Sequence, residues 1–186
     1  MEALASGSNF KSQTSGHATG EREMSDADRK PSPVSPPPDD AAAGTFVEGG
    51  WFELRVRVQP HHTDYAGIVW HGSYVSWLES ARVECLRALG VGYEALVEGG
   101  YDMPVVDMAL RYHHAVRLGA IVSVRARLEP VRGVRIGWIY ELSSPDLQVL
   151  YVTGRVTLVT LDREHGRVLR RLPPSLVAAF ERLPPP

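Results

Sequence analysis

Residues 62–74 read HTDYAGIVWHGSY and join the end of a strand pattern to the start of a helix pattern. They place one carboxylate, Asp64, on a short turn that faces the beginning of the helix. The first turn of a helix has unpaired backbone N–H groups and a partial positive charge, and both can stabilise an oxyanion. We therefore expect Asp64 to act there as a nucleophile or a base. Because residues 68–70 are apolar and expected to be buried, Asp64 should lie in a cleft.

The residues on either side of this stretch follow two different periods. Apolar and polar residues alternate over 52–58, which predicts a half-buried strand that Pro60 ends. After the stretch, apolar residues recur every three or four positions, which predicts an amphipathic helix of about five turns. Gly72 or Ser73 is expected to cap the start of this helix, and Gly90 is expected to end it.

Four further strand patterns follow the long helix, with one short helix, at 93–98, before them. The strands are predicted at 105–114, 120–128, 134–142 and 149–161, with glycine or proline in the turns between them. A short last helix is predicted at 176–183. One strand, a long helix and an antiparallel meander indicate an α+β fold, in which a curved sheet of about five strands wraps the helix.

Composition divides the 186-residue chain into a tail, residues 1–50, and one folded domain, residues 51–186. The tail is rich in Ser, Pro, Ala, Gly and Asp and has almost no aliphatic periodicity, so we expect it to be disordered. Ordered structure is expected to begin near Trp51. The sequence leaves open whether translation starts at Met1 or at Met24.

Charge and cysteine content limit the classes of function. The domain carries 16 arginines and 14 acidic residues, without any basic run, and this pattern argues against nucleic-acid binding. No apolar run approaches the ~20 residues that are needed to cross a bilayer. With one cysteine, Cys85, and no recognisable signal peptide, we expect a cytoplasmic protein.

Pairs of adjacent histidines suggest a metal site, but their spacing does not fit one. His61 and His62, like His113 and His114, are sequence neighbours, and neighbours in a strand point to opposite faces. No CxxC or HExxH spacing is present. The glycine-rich signatures of phosphate and dinucleotide sites and the GxSxG element of serine hydrolases are also missing from the sequence. We predict no metal and no organic cofactor.

The motif resembles that of hotdog-fold acyl-CoA thioesterases of the 4-hydroxybenzoyl-CoA thioesterase family, in particular the Tol-Pal-associated branch. The resemblance rests on TDYAGIVWHGSY at 63–74 and ESARVECLR at 79–87, and it extends over about 52–180. It implies a hotdog fold and an acyl-CoA substrate. It also implies a homodimer or homotetramer whose sheets join edge to edge, with active sites at the subunit interface.

The resemblance implies roles for individual residues. The aspartate that matches Asp64 attacks the thioester carbonyl or activates water, and the helix-start amide that matches His71 polarises the carbonyl oxygen. By residue type alone, the His71 side chain could instead take part in the reaction or pack as a structural cap. The substrate-binding positions that we expect are Tyr65, Gly67, Trp70, Gly72 and Arg132.

Two positions depart from the family pattern. His62 stands where family members often have an acidic residue, and Tyr65 stands where they often have Ala or Gly. Tyr65 could therefore line or narrow the acyl pocket, and we expect these two positions to influence substrate preference. The arginines that suit the phosphates of coenzyme A by residue type are Arg125, Arg127, Arg132 and Arg135.

We therefore expect an enzyme that hydrolyses a short-chain or aromatic acyl-CoA to the carboxylic acid and free coenzyme A. The sequence does not decide whether Asp64 forms a mixed anhydride or takes a proton from water. A non-catalytic acyl-CoA or aromatic-ligand binding protein on the same fold is the alternative. A hydratase of this fold fits less well, since hydratases carry Asp and His about five residues apart, whereas Asp64 and His71 are seven apart.

Overall fold

A computed structural model describes residues 43–185, so most of the predicted tail lies outside the described residues. Strand β1, Thr45–Val47, precedes Trp51 and pairs with the beginning of strand β2, Trp51–Arg57. A 3-10 turn joins the two strands, and its residues Gly49 and Gly50 have φ of 72° and 68°. Glycine adopts such positive φ without strain, which explains why glycines at the end of the predicted tail form a hairpin turn.

Helix α1, His71–Ala88, is the long helix that the three- and four-residue spacing predicts. It begins earlier than expected, because Trp70 is the N-cap residue and no side chain caps the first turn, so Gly72 and Ser73 are helical residues. Its end is at the predicted place, where Gly90 has φ of 76°. The buried apolar face of α1 comprises Tyr74, Trp77, Leu78, Ala81, Cys85 and Leu86.

Two short helices and seven strands complete the described part of the chain. The helices are α2, Tyr93–Glu98, and α3, Pro174–Phe180. The strands are β3 (Tyr101–Asp102), β4 (Val105–Tyr112), β5 (Ile121–Leu128), β6 (Arg135–Ser143), β7 (Leu150–Val159), β8 (Leu161–Asp162) and β9 (Arg167–Val168). None of the helices within residues 43–185 is long and apolar enough to span a membrane.

The main sheet contains six antiparallel strands in the order β1-β2-β5-β6-β7-β4, and β3, β8 and β9 form a second, small sheet. Helix α1 packs across one face of the main sheet, where every second side chain of the central strands is buried. Examples on β5 and β6 are Val122, Val124, Ala126, Ile136, Trp138, Tyr140 and Leu142. This is the predicted hotdog fold of the α+β class, with six strands in the main sheet rather than about five.

Strand β4 lies at one edge of the main sheet and pairs only with β7. Seven of its eight residues are exposed, including the apolar side chains of Val105, Val106, Met108 and Tyr112. An exposed apolar edge strand offers unpaired backbone groups to a further strand. The segment after β4 reaches the Asp64 turn, where Arg117 forms a β-bridge with Ile68.

Candidate active site

Asp64 lies in a tight turn between β2 and α1. Its N–H donates to the carbonyl oxygen of Ile68 at 2.8 Å, and the N–H of Gly67 donates to the carbonyl oxygen of Asp64 at 3.0 Å. Gly67 has φ of 71°, a conformation that favours glycine. The shape of this turn therefore explains the glycine at position 67, which was predicted as a substrate-binding position.

The carboxylate of Asp64 is held by the same turn. Its Oδ1 accepts hydrogen bonds from the N–H groups of Ala66, at 2.9 Å, and of Ile68, at 3.2 Å. This pattern is common for Asp in turns. Oδ2 has no hydrogen-bond partner among the described residues. Oδ2 is therefore the carboxylate oxygen that is available for chemistry.

The cleft predicted around Asp64 is absent from the single chain that the structure describes. Asp64 is exposed, Ile68 is half-buried, and only Val69 of the three apolar residues is buried. Trp70 is 46% exposed and the Tyr65 side chain is fully exposed. The expectation was wrong for residues 43–185, because none of the elements they form covers this side of the turn.

The first turn of α1 presents free backbone donors. The N–H of Ser73 donates to the carbonyl oxygen of Trp70 at 3.0 Å, whereas the N–H groups of His71 and Gly72 have no acceptor among the described residues. Two free donors at the positive end of a helix dipole can hold an oxyanion. They are the donors to which the sequence motif points.

His62 fixes the segment that leads to the Asp64 turn. Its carbonyl oxygen accepts from the N–H of Trp70, at 3.2 Å, and from the hydroxyl of Ser73, at 2.9 Å. Its ring Nδ1 accepts from the N–H of Gln59 at 3.0 Å, and the ring packs edge-on against Trp77. Burial, and to a smaller extent the neighbouring imidazole, hold the pKa of His62 below its usual value. These contacts give His62 a structural role.

The Trp70 indole lies over the first turn of α1. A Cβ atom placed on Gly72 would overlap the six-membered ring of this indole, so any larger residue at position 72 would have to displace the ring. The indole also meets the His71 ring edge-on, with ring centres 5.2 Å apart. Trp70 therefore forms an aromatic wall beside the two free amides.

A pocket of about 310 Å³ opens beside the start of α1. Its lining residues are Ile68, Val69, His71, Tyr74, Tyr112, His113, His114 and Ala115. The rings of Tyr74 and Tyr112 have their centres 5.5 Å apart. Burial raises the pKa of the Tyr74 phenol, so this hydroxyl stays protonated at neutral pH. Tyr112, His113 and His114 were not predicted as site residues, because only long-range pairing brings them to α1.

Arg132 lies in a different pocket, of about 620 Å³, together with Arg135 and Arg155. Asp107 and Glu129 also line this pocket, and the Arg155 Nε lies 2.8 Å from a carboxylate oxygen of Glu129. Its strand residues lie on the face of the main sheet opposite α1. The structure therefore does not bring Arg132 next to Asp64 within one chain.

Arg125 and Arg127 are engaged with Trp51 on the same face of the sheet. Their guanidinium carbons lie 5.1 and 4.5 Å from the centre of the indole ring, within the range of cation–π attraction. Arg127 also donates to the carbonyl oxygen of Gly49 at 3.1 Å. These contacts stabilise the packing of β1 and β2, which gives both arginines a structural role.

The two histidine pairs do not form a metal centre in the part of the chain that the structure describes. No group of three or more His, Cys, Asp or Glu side chains within residues 43–185 is arranged to hold a metal ion. His113 Nε2 lies 3.0 Å from the hydroxyl of Thr153, and His114 Nδ1 lies 2.8 Å from the carbonyl oxygen of Leu150. Both rings are thus oriented by β7.

Comparison with known proteins places the chain among thioesterases. Residues 58–180 match the model of the thioesterase-like superfamily. The chain is 46% identical over 155 residues to protein sll0410 of Synechocystis sp., covering 81% of this chain and 93% of that protein. It is 29% identical over 131 residues to the acyl-CoA thioester hydrolase YbgC of Escherichia coli, covering 70% and 96%. The DHNA-CoA thioesterase from Staphylococcus aureus has the same fold, with a TM-score of 0.65 and 24% identity over 71% of this chain and 89% of that one.

The fold and the site together define a hotdog protein with a carboxylate turn beside a helix start that carries free amides. The chain belongs to the thioesterase-like superfamily, whose model covers most of the folded part. The predicted family, the fold and the class of enzyme, a thioester hydrolase, are thereby confirmed.

Proposed function

We propose that the protein hydrolyses an acyl-CoA thioester to the carboxylic acid and free coenzyme A. The observation that carries the proposal is one short segment that holds Asp64 with a free Oδ2 and two unpaired amides, at His71 and Gly72. The name of the Escherichia coli relative, acyl-CoA thioester hydrolase, supports the same substrate class.

In the proposed reaction the thioester oxygen accepts hydrogen bonds from the N–H groups of His71 and Gly72. Negative charge grows on this oxygen as the carbonyl carbon becomes tetrahedral, and fixed donors stabilise that charge more than the ground state. A donor of this kind contributes about 3 kcal/mol where its loss has been measured. The donor at His71 is the backbone amide, whereas the imidazole is not required for this step.

Asp64 supplies the second part of the chemistry through Oδ2. Either Oδ2 attacks the carbonyl carbon and forms a mixed anhydride that water hydrolyses, or it takes a proton from the attacking water. In both routes the bond from the acyl carbon to sulfur breaks, and coenzyme A leaves as the thiol. The two backbone bonds to Oδ1 hold the carboxylate in one orientation for either role.

The acyl group is proposed to occupy the pocket beside α1. Tyr74, Tyr112 and the Trp70 indole give this region aromatic walls, and a volume of about 310 Å³ suits a single ring or a short chain. Flat aromatic groups pack favourably against such walls. We therefore favour an aromatic acyl group over a short aliphatic one, with Tyr65 at the exposed rim.

We propose that two copies of the chain join through β4 and that the second copy covers the exposed Asp64 turn. The apolar edge of β4 is exposed over nearly its whole length, and its last residue, Tyr112, lines the acyl pocket. A homodimer formed at this edge therefore borders the site. A homotetramer would add a second interface.

Arg132 and Arg135 are proposed to contact the phosphates of coenzyme A at the surface. Neither guanidinium group forms an ion pair among the described residues, in contrast to Arg155. Free guanidinium groups suit bidentate contacts with phosphate.

The experiment that tests the proposal compares the wild-type protein with the Asp64→Asn variant on a panel of short, long and aromatic acyl-CoA substrates. Release of free thiol is measured with a colorimetric reagent. We expect kcat to fall at least about 100-fold in the variant, because the amide can act neither as nucleophile nor as base. Asp146→Asn is the matched control, since Asp146 also accepts a backbone N–H within an exposed turn. Its turnover should equal that of the wild type.

Two results would contradict the proposal. Near-normal turnover of Asp64→Asn would remove Asp64 from the reaction. Binding of acyl-CoA by the wild-type protein without release of thiol from any member of the panel would instead indicate a non-catalytic binding protein on the same fold.

A further inference from the structure

The segment that follows β4 runs antiparallel to the segment that leads into α1. A β-bridge joins Ile68 to Arg117, and the next backbone hydrogen bond along the same ladder continues toward the start of α1. His71 lies two positions after Val69, and His114 lies two positions before Val116, whose carbonyl oxygen accepts from the Val69 N–H. Both histidines line the pocket of about 310 Å³. His114 therefore lies in the same pocket as His71, whose amide is proposed to bind the thioester oxygen.

One hydrogen bond sets the protonation pattern of the His114 ring. Nδ1 lies 2.8 Å from the carbonyl oxygen of Leu150. A carbonyl oxygen only accepts, so we assign the hydrogen to Nδ1, and the neutral ring then carries its lone pair on Nε2. His114 is an exposed residue, so water can reach this nitrogen. The neutral ring thus keeps Nε2 free to accept a proton.

Four other titratable groups line the pocket, and its other two histidines are the rival bases. The four groups are His71 and Tyr74 on α1, and Tyr112 and His113 on the β4 side, and no carboxylate lines the pocket. The raised pKa of Tyr74 keeps its hydroxyl protonated. The His113 Nε2 is bonded to Thr153, and the His71 ring packs edge-on against Trp70.

The anhydride route of hydrolysis needs a proton acceptor besides Asp64. If Oδ2 of Asp64 forms the mixed anhydride, it cannot also deprotonate the water that breaks that anhydride. Oδ1 accepts two backbone hydrogen bonds, which reduces its ability to serve as the base. A histidine is the side chain that most readily accepts and returns a proton near neutral pH.

We propose that His114 is a further catalytic residue of the proposed hydrolysis, on which this inference rests. Nε2 takes a proton from water while the water oxygen bonds to the acyl carbon. This step belongs to the anhydride route, in which the thiolate of coenzyme A has already left, and the bond from the acyl carbon to Oδ2 of Asp64 now breaks. The protonated ring then gives its proton to the thiolate of coenzyme A, so the ring and Asp64 return to their initial states.

The test uses the His114→Asn variant of the full-length protein. The Asn side-chain amide can donate to the carbonyl oxygen of Leu150 as Nδ1 does, but it has no nitrogen in the place of Nε2. We expect kcat to fall about 100-fold, with a much smaller change in KM. The pH dependence of kcat should change from that of the wild type, while the melting temperature stays near the wild-type value.

His165→Asn is the matched control, because His165 Nδ1 is also held by a hydrogen bond, to Asp162, and lies on the hairpin between β8 and β9. This variant should keep the turnover and the pH profile of the wild type. If His114→Asn also keeps both while Asp64→Asn is inactive, the role of His114 is refuted and the proposed function stands. A changed pH profile of kcat in His71→Asn, and not in His114→Asn, would likewise refute it. A wild-type protein that releases no thiol refutes both proposals.

Discussion

At Gly72, helix propensity and steric overlap with the Trp70 indole have opposite effects on stability. Alanine is favoured over glycine in a helix by up to about 1 kcal/mol, so Gly72→Ala would stabilise α1 if nothing lay above it. The Trp70 indole occupies that space, so the methyl group must push the ring out of its contact with the His71 ring; overlap of this kind costs about 1–3 kcal/mol in a well-packed core. We therefore expect Gly72→Ala to lower the free energy of unfolding, as measured by urea denaturation.

The control for this prediction is the same substitution in a Trp70→Ala background. Without the indole, the methyl group that Gly72→Ala introduces has room, so the double variant should be no less stable than Trp70→Ala alone. Such a cycle isolates the contact between the two positions. A Gly72→Ala protein that is more stable than the wild type would show that the indole does not lie over the helix start.

The residues of the site differ in how far the sequence could predict them. Asp64 and the amide of His71 follow from local spacing, because the bonds that close the turn join residues at most four positions apart. His114 comes 43 positions after His71 and reaches the site only through pairing between distant segments. No local pattern contains that information.

At the scale of elements, the 3-10 turn Pro60–His62 carries a pH-sensitive bond. Its last residue accepts the N–H of Gln59 on ring Nδ1, which requires an imidazole without a proton on that nitrogen. The pKa of His62 in the folded protein is lowered by burial and by His61. The folded state thus binds fewer protons than the unfolded state near this pKa, and its stability rises with pH.

We predict that the contribution of neutral His62 to the free energy of unfolding is fully present above the pKa of His62 in the unfolded chain, about 6.5. This contribution is lost as pH falls from there through the lower pKa of His62 in the folded protein. The measurement is the free energy of unfolding in urea between pH 5 and pH 8. His62→Asn should show a shallower decline at low pH, because the amide oxygen accepts the Gln59 N–H without titrating. Equal slopes for the two proteins would contradict the assigned bond.

The helices and strands themselves were largely predictable, because each follows from a local period. Residues Val105, Ile121, Arg135 and Leu150 begin their strands within one position of the predicted starts. The order of the strands was not predictable in the same way. Placing β4 beside β7, rather than beside β5, depends on which backbone groups find partners across the whole sheet.

For the whole molecule, the exposed edge of β4 makes the oligomeric state a testable quantity. Val106 and Met108 are 50% and 39% exposed on this strand. Replacing both with glutamate puts like charges close together where two copies of β4 would meet, and such pairs are destabilising. We expect dissociation to monomers in analytical ultracentrifugation, together with loss of thioesterase activity, because β4 also ends in the acyl pocket.

Val168→Glu is the control for this prediction, since Val168 is 53% exposed on a strand of the second sheet. It should leave both the sedimentation and the activity unchanged. If the Val106→Glu/Met108→Glu variant sediments like the wild type, the β4 edge is not the subunit interface.

The position of Trp70 gives the molecule a natural optical probe. The chain has four tryptophans, and Trp51, Trp77 and Trp138 are buried, with 8%, 4% and 1% exposure. Only the Trp70 indole, at 46%, is open to an aqueous quencher such as iodide, and it is the one that stands beside the helix start. A bound ligand that covers Trp70 should reduce the quenching of tryptophan fluorescence by iodide. The extent of quenching therefore measures occupancy of the site by an unlabelled ligand, even in catalytically inactive variants.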